Sequence, residues 1–332
     1  MKMIKDLAYL NADGDIEERI YFISADSNTL YAMSTIDYSI EKVAVLGRKS
    51  NLWAVLLYER YIFCCALDDC CVYVFDKEGK KINEFMCSEK TGRMLDAFIY
   101  KNSIVFVPWN ISNNVYFFNI SKYEYEPDNY WMTIHKKIEM TGNAYVWNRF
   151  DSVLSYVVEK RDRVIVYDFN ESKCFQLYNP TNGMIKDCVF ADNMVYMLIE
   201  GKRALFIYDM KQDRLSVIDT NEKSEHKKLI AYKNSLFIVC SERVLFFENE
   251  KMIQTEIKVD CYTGSSFIKI IPMKNEIVFL PWAKSVLAVL DSNSKEVKSY
   301  ELELPLHDVI GMKSIITEGE LSLSDYLLGI VQ

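Results

Sequence analysis

The sequence predicts an all-β fold of about seven four-stranded blades, with a short C-terminal helix as a possible addition, and two observations lead there. The first is a degenerate repeat along nearly the whole chain. The second is the texture of each copy: short runs rich in Val, Ile, Phe and Tyr, separated by polar turns.

The repeat emerges when the chain is aligned with itself. An apolar strand leads to a polar turn that often ends in Asn. A stronger apolar strand follows, then a brief loop, a third apolar strand closing on an acid or amide, and an amphipathic strand. The clearest copies are AFIYKNSIVFVPWNISNNVYFFN from Ala97, LIAYKNSLFIVCSERVLFFEN from Leu229 and IIPMKNEIVFLPWAKSVLAVLDS from Ile270. Mid-second-strand markers fall at Tyr21, Ile62, Val105, Ser155, Tyr196, Phe237 and Val278, in steps of 41 to 43 residues except one of 50. That period is the length of a β-propeller blade.

Within each copy the middle strands, such as SIVFV and ALFIY, are nearly continuous apolar runs, as expected of strands covered on both faces. The outer strands, such as KKINEF and RLSVID, alternate as solvent-facing edges do. Asp76, Asp168, Asp209 and Asp291 close third strands, where a carboxylate can accept backbone N–H groups two residues on and start a turn. The long step is assigned to an aromatic insertion at about 123–143, containing Tyr123, Tyr125, Tyr130 and Trp131. The blades run from about 19 to 304, and residues 305–332 supply a closing strand and tail. All belong to one domain, 1–332. The first copy lacks an obvious inner strand, which either MIKDLAYL or MKSIITE could provide. In the tail, Leu323, Tyr326, Leu327 and Ile330 have helical spacing.

This plan resembles the β-propeller superfamily, whose better-known repeats are the kelch and Trp-Asp types. The resemblance covers roughly Arg19 to Leu304, without the Gly-His and Trp-Asp dipeptides of one family or the double glycine of the other. It implies the fold and carries little about activity, since propellers host lyases, hydrolases, lectins and scaffolds alike.

Composition narrows the partners. A net charge of −8, with Lys/Arg runs no longer than pairs, argues against nucleic acid. No apolar window reaches membrane-span length, and the N-terminus does not read as a signal peptide. Nine cysteines without a secretion signal read as reduced thiols, which points to the cytoplasm. Cys64, Cys65, Cys70 and Cys71 straddle a tight turn, so their side chains divide between two faces and do not converge on a metal. The three histidines, His135, His226 and His307, have no ligand partners at short spacing, and no phosphate-binding glycine loop exists. No catalytic residues, metal or cofactor are assigned.

The strongest functional signal is a repeated Pro-Trp. VFVPWN, with Trp109, and VFLPWA, with Trp282, occupy the same slot after the second strand of two blades. Other copies place charged residues there, including Glu159, Lys160, Glu200 and Arg243. That loop opens on the face of the blade-to-blade connections. Trp109, Trp282, Trp131, Tyr130, Glu200 and Arg243 are therefore the candidate binding residues, since aromatic and Arg side chains supply amphipathic contact area. The other reading of Trp109 and Trp282 is packing between blades. The expected function is a non-catalytic binding or scaffold protein holding a protein, peptide or glycan. The alternative is a lyase or hydrolase acting on a carbohydrate-like substrate in an axial pocket.

Overall fold

A computed structural model describes residues 4–10, 16–24, 29–34, 36–37, 39–46, 52–58, 61–66, 71–87, 94–108, 114–120, 131–132, 134–150, 152–221, 226–232, 235–240, 243–248, 251–256, 268–272, 276–281, 286–291, 294 and 296–301. Among them every regular element is a β-strand, in seven sheets of consecutive antiparallel strands.

The first sheet comprises β1 (Ile4–Leu10), β2 (Ile16–Ser24), β3 (Thr29–Ser34) and β4 (Ile40–Val45). The second has β5 (Leu52–Tyr58), β6 (Tyr61–Ala66), β7 (Val72–Asp76) and β8 (Lys81–Cys87). The third consists of β9 (Met94–Tyr100), β10 (Ser103–Pro108), β11 (Asn114–Asn119) and β13 (Ile134–Glu139), with β12 (Trp131–Met132) between β11 and β13 in the chain but outside that sheet. The fourth runs through β14 (Ala144–Phe150), β15 (Val153–Val158), β16 (Arg163–Asp168) and β17 (Lys173–Tyr178). The fifth contains β18 (Ile185–Ala191), β19 (Met194–Ile199), β20 (Ala204–Asp209) and β21 (Arg214–Asp219). Next come β22 (His226–Tyr232), β23 (Ser235–Cys240), β24 (Arg243–Glu248) and β25 (Lys251–Glu256). The seventh sheet is β26 (Ile268–Pro272), β27 (Glu276–Pro281), β28 (Val286–Asp291) and β29 (Val297–Glu301).

All seven second-strand markers fall within second strands, from Tyr21 in β2 to Val278 in β27. MIKDLAYL supplies β1, so the first sheet is contiguous in sequence and the first blade has its inner strand after all. MKSIITE and the tail lie outside the described residues. The long third step has a different anatomy from the one expected. Ile134–Glu139 is the outer strand of the third sheet, paired with β11, so the added chain sits between the third and fourth strands of that sheet. From it, Trp131 and Met132 pair in parallel with Met86 and Cys87, adding a fifth strand to the second sheet.

The chain divides into two compact units. The first, Met1–Met140 with 282–287 and 300–332, contains the first three sheets. Its apolar layers lie between sheets: Tyr21, Leu30, Val55 and Phe75 in one, Phe63, Val74, Phe106 and Phe118 in the next. The second, Thr141–Pro281 with 288–299, holds the fourth to sixth sheets and most of the seventh. Val164, Val166, Ile185, Met197 and Phe206 fill the layer between its fourth and fifth sheets. Leu198, Leu205, Leu229 and Ile238 fill the following one. Burial of each such apolar side chain contributes roughly 2 kcal/mol, and β15 and β6 are buried on both faces.

The turn carboxylates do what their recurrence suggests. Asp168 Oδ1 accepts the N–H of Asn170, Asp209 Oδ1 those of Lys211 and Gln212, Asp76 Oδ1 that of Lys80 and Asp291 Oδ1 that of Ser294. The cysteines also divide as expected: Cys64 and Cys71 enter one apolar layer and Cys65 the neighbouring one. Burial pushes the Cys64 thiol well above its ordinary pKa, which keeps it protonated and unreactive.

Candidate functional site

Within the second unit, three loops meet at one end of the sheets. They are the β15–β16 turn (159–162), the β17–β18 connection (179–184) and the β19–β20 turn (200–203). Backbone bonds hold them in register. Ile185 N–H donates to Arg161 O at 2.9 Å, Glu200 N–H to Met184 O at 2.8 Å, and Asn179 N–H to Asp162 O at 2.8 Å. The connection is braced from inside, with Asn179 Oδ1 accepting from Thr181 N–H and Thr181 Oγ1 accepting from Gly183 N–H. Gly183 is required for close approach, since a Cβ there would stand 2.7 Å from Ile199 Cγ2.

Arg161 is the centre of this face. Its Nε donates to Ile185 O at 2.9 Å, and its Nη2 lies 2.9 Å from Glu200 Oε2. The guanidinium lies 4.7 Å from the ring centroid of Tyr145, and Nη1 lies 3.7 Å from Met184 Sδ. Arg161 has φ of 58°, a left-handed conformation that costs energy for a bulky residue and is held here by those four contacts. Its side chain is only 17% exposed, whereas Glu200 is 53% exposed. Tyr145 and Met184 are exposed at its flanks.

Tyr145 reaches that place because of a bulge. Ala144 pairs with Val158 and Val146 with Val157, leaving Tyr145 as the extra residue of β14. The same irregularity recurs at Lys5, Trp53, Leu95, Lys186 and Lys227, each near the start of the first strand of its sheet.

Just inside the face lies Asp187, 1% exposed. Its Oδ1 accepts from Asn148 Nδ2 at 2.9 Å and Cys188 N–H at 2.9 Å, and its Oδ2 accepts from Leu229 N–H at 2.7 Å. One carboxylate thus joins the first strands of three successive sheets, β14, β18 and β22. Burial raises its pKa to about 6, opposed by the Lys228 charge and these N–H donors. The Cys188 thiol is pushed up by its own burial and by the Asp187 charge. Among the described residues no three His, Cys, Asp or Glu side chains are grouped to hold a metal.

Of the six residues singled out from sequence, Glu200 is on this face, paired with Arg161. Arg243 opens β24 with its backbone opposite Glu256. Trp131 is placed by its pairing with Met86. Trp109, Trp282 and Tyr130 lie outside the described residues, although both Pro-Trp prolines, Pro108 and Pro281, end second strands, β10 and β27. Sequence reasoning missed Arg161, Tyr145, Met184 and Asp187. Asp187 had a signal, as the lone acid in the apolar strand IKDCVFA. Arg161 shares its slot with Glu159 and Lys160.

No protein-family model matches the chain, and no curated protein matches it significantly. Solved structures do. YCF48 bound to D1 peptide aligns with a TM-score of 0.63 at 12% identity, over 90% of this chain and 93% of that one. The computationally designed Ika8 protein aligns at 0.59 and 14% identity, over 91% and 88%. Hsv2 of Kluyvelomyces marxianus aligns at 0.58 and 12% identity, over 91% and 98%. With the blade period and the seven sheets, these likenesses define the class: the chain has the β-propeller fold. At such identities they carry the fold alone.

Proposed function

We propose that this chain is a non-catalytic binding scaffold, a single propeller domain that holds a protein or peptide on its loop face. The observation that carries the reading is the preset cluster around Arg161, with exposed Tyr145 and Met184 beside a guanidinium already fixed by Glu200 and Ile185. Tyr, Met and Arg are the residue types enriched in protein interfaces, and a fixed geometry lowers the ordering cost of binding. Two similar folds are compatible with it: YCF48 was solved with the D1 peptide, and another match comes from the mitotic checkpoint complex.

On this reading Trp109, Trp282, Tyr130, Trp131, Glu200 and Arg243 are further contact residues for the polypeptide. The ligand is a polypeptide rather than a glycan or nucleic acid, and the protein works in the cytoplasm. Asp187 is sealed and its oxygens are occupied by N–H donors, so this carboxylate serves the fold and not a reaction.

The test is affinity capture with the full chain, followed by crosslinking and mass spectrometry to locate each contact. Tyr145→Ala/Met184→Ala and Trp109→Ala/Trp282→Ala should each lose the captured polypeptide while remaining folded, with a cooperative thermal melt. Retention of the same polypeptide by both double variants would refute the loop-face reading.

A further inference from the structure

Outer strands of β-sheets are exposed templates for pairing, and proteins commonly blunt them with charge or irregular register. The first three blades do so. Outer strand β4 carries Glu41 and Lys42 in its middle, β8 carries Glu84, and β13 carries Lys136 and Lys137. Each also has a register shift against its neighbour, and β8 is further covered by β12. Outer strand β17 has none of these protections. Its sequence is KCFQLY, with its single charge at the first residue, and its pairing with β16 is unbroken from Arg163↔Tyr178 to Asp168↔Lys173. Among the described residues no strand pairs with its outer edge.

The strand is also apolar where it is exposed. Phe175 is 45% exposed and Tyr178 63%. Phe175 and Leu177 pair with Val166 and Val164, which belong to the layer facing the fifth sheet. From that sheet, Val217 and Leu215 pair with Phe206 and Tyr208, which belong to the same layer. Val217, 53% exposed, and Leu215, 39% exposed, therefore face the Phe175 side of β17 across the opening between the two sheets.

We infer that the outer edge of β17 is a two-fold interface, at which a second copy of this chain adds its own β17 antiparallel to form a continuous eight-stranded sheet. The sequence of β17 is what selects a second copy as the occupant. A two-fold axis normal to a sheet keeps each residue on its face, so opposed residues must be an even number of positions apart. Centred on Gln176, the pairing sets Phe175 against the partner's Leu177, Cys174 against the partner's Tyr178, and the two Gln176 amides against each other. No charge meets an apolar side chain. The comparable strand β21 fails this test, because centring on Val217 opposes Leu215 with Asp219 and centring on Ser216 opposes Arg214 with Ile218. The Phe175–Leu177 row of the joined sheet lies on the side of Leu215 and Val217, and it narrows the apolar opening in both copies. The inference does not depend on the loop face.

Sedimentation velocity of the full chain, from micromolar to hundreds of micromolar, tests it. The expected result is a reversible shift from monomer to dimer. Phe175→Lys should remain monomeric across the range with the wild-type melting temperature, because the side chain is exposed. Gln176→Cys in a Cys174→Ser background should form a disulfide-linked dimer on mild oxidation, since the two side chains meet on the axis, while Cys174→Ser alone should not. A wild-type chain that stays monomeric throughout would overturn the proposal, as would capture of a different polypeptide by this edge in place of a second copy. So would a dimer that tolerates Phe175→Lys and gives no Gln176→Cys crosslink.

Discussion

The carboxylate of Asp187 accepts the backbone N–H of Leu229 at 2.7 Å, so a side chain of one blade completes the hydrogen bonding of the next. Asn148, from the preceding blade, donates to the same carboxylate at 2.9 Å. A register shift interrupts the pairing of the first strand just here, between Ile185 and Asp187.

Asp187→Ala should destabilise the protein by about 2–4 kcal/mol, because it leaves the Leu229 and Asn148 donors buried without that acceptor. Urea unfolding monitored by tryptophan fluorescence measures this. A loss within the error of the midpoint would show that the three strands are held by packing alone.

The same group has a definite pH signature. Its pKa rises from 3.8 to about 6 on folding, because burial disfavours the charged form. The native state therefore binds this proton more tightly than the unfolded chain does. The stabilisation is fully present below pH 3.8 and is lost as pH rises through about 6. Between pH 7 and pH 5 the wild type should gain stability relative to Asp187→Asn, by on the order of 1 kcal/mol. Parallel denaturant titrations of both proteins at the two pH values give the difference directly, and equal slopes with pH would contradict the assignment.

Arg161→Ala should cost about 1–3 kcal/mol, since it removes a charge-assisted bond to Ile185 O, the Tyr145 contact and the Glu200 pair together. Arg161→Lys should recover little, because an ammonium lacks the planar fork that reaches a carbonyl and a carboxylate at once. Glu200→Gln should change stability by less than about 1 kcal/mol, as the carboxylate is more than half exposed. Thermal melts of the three variants separate these effects, and a Glu200→Gln loss as large as that of Arg161→Ala would place the energy in the ion pair.

Asp168→Ala and Asp209→Ala should each lose about 1 kcal/mol, and the Asn variants much less, because an amide oxygen still accepts the turn N–H groups. Since the two turns lie in separate blades, the double variant should lose the sum of the single losses. Denaturant midpoints of the single and double variants provide the measurement.

The blade plan was legible because it is written in local physics. Strand composition, turn residues and a constant period repeat in every copy, so Tyr21, Phe237 and Val278 could be placed in second strands without coordinates. The interior split of Cys64 and Cys65 followed from the two-residue alternation of a strand. The third blade was read less well. Ile134–Glu139 was hidden because IHKKIE is amphipathic and follows an aromatic stretch, and only its pairing with β11 identifies it as a strand of that sheet.

The candidate site was harder, because its members come from separate blades. Glu200 was named from its slot, whereas its partner Arg161 was not, since ion pairing across 39 positions leaves no local pattern. The sequence by itself determined the all-β repeat, the seven second strands and the turn carboxylates, all of which depend on neighbours within a few residues. Tertiary structure alone decided that Tyr145 is turned out by a bulge to lie beneath Arg161 and that Asp187 joins three inner strands. It also decided that Phe175 faces the same opening as Val217. The Tyr145 contact depends on strand pairing within one sheet, whereas the Asp187 and Phe175 relationships depend on how one sheet packs against the next, which brings together residues about forty positions apart, the length of a blade repeat.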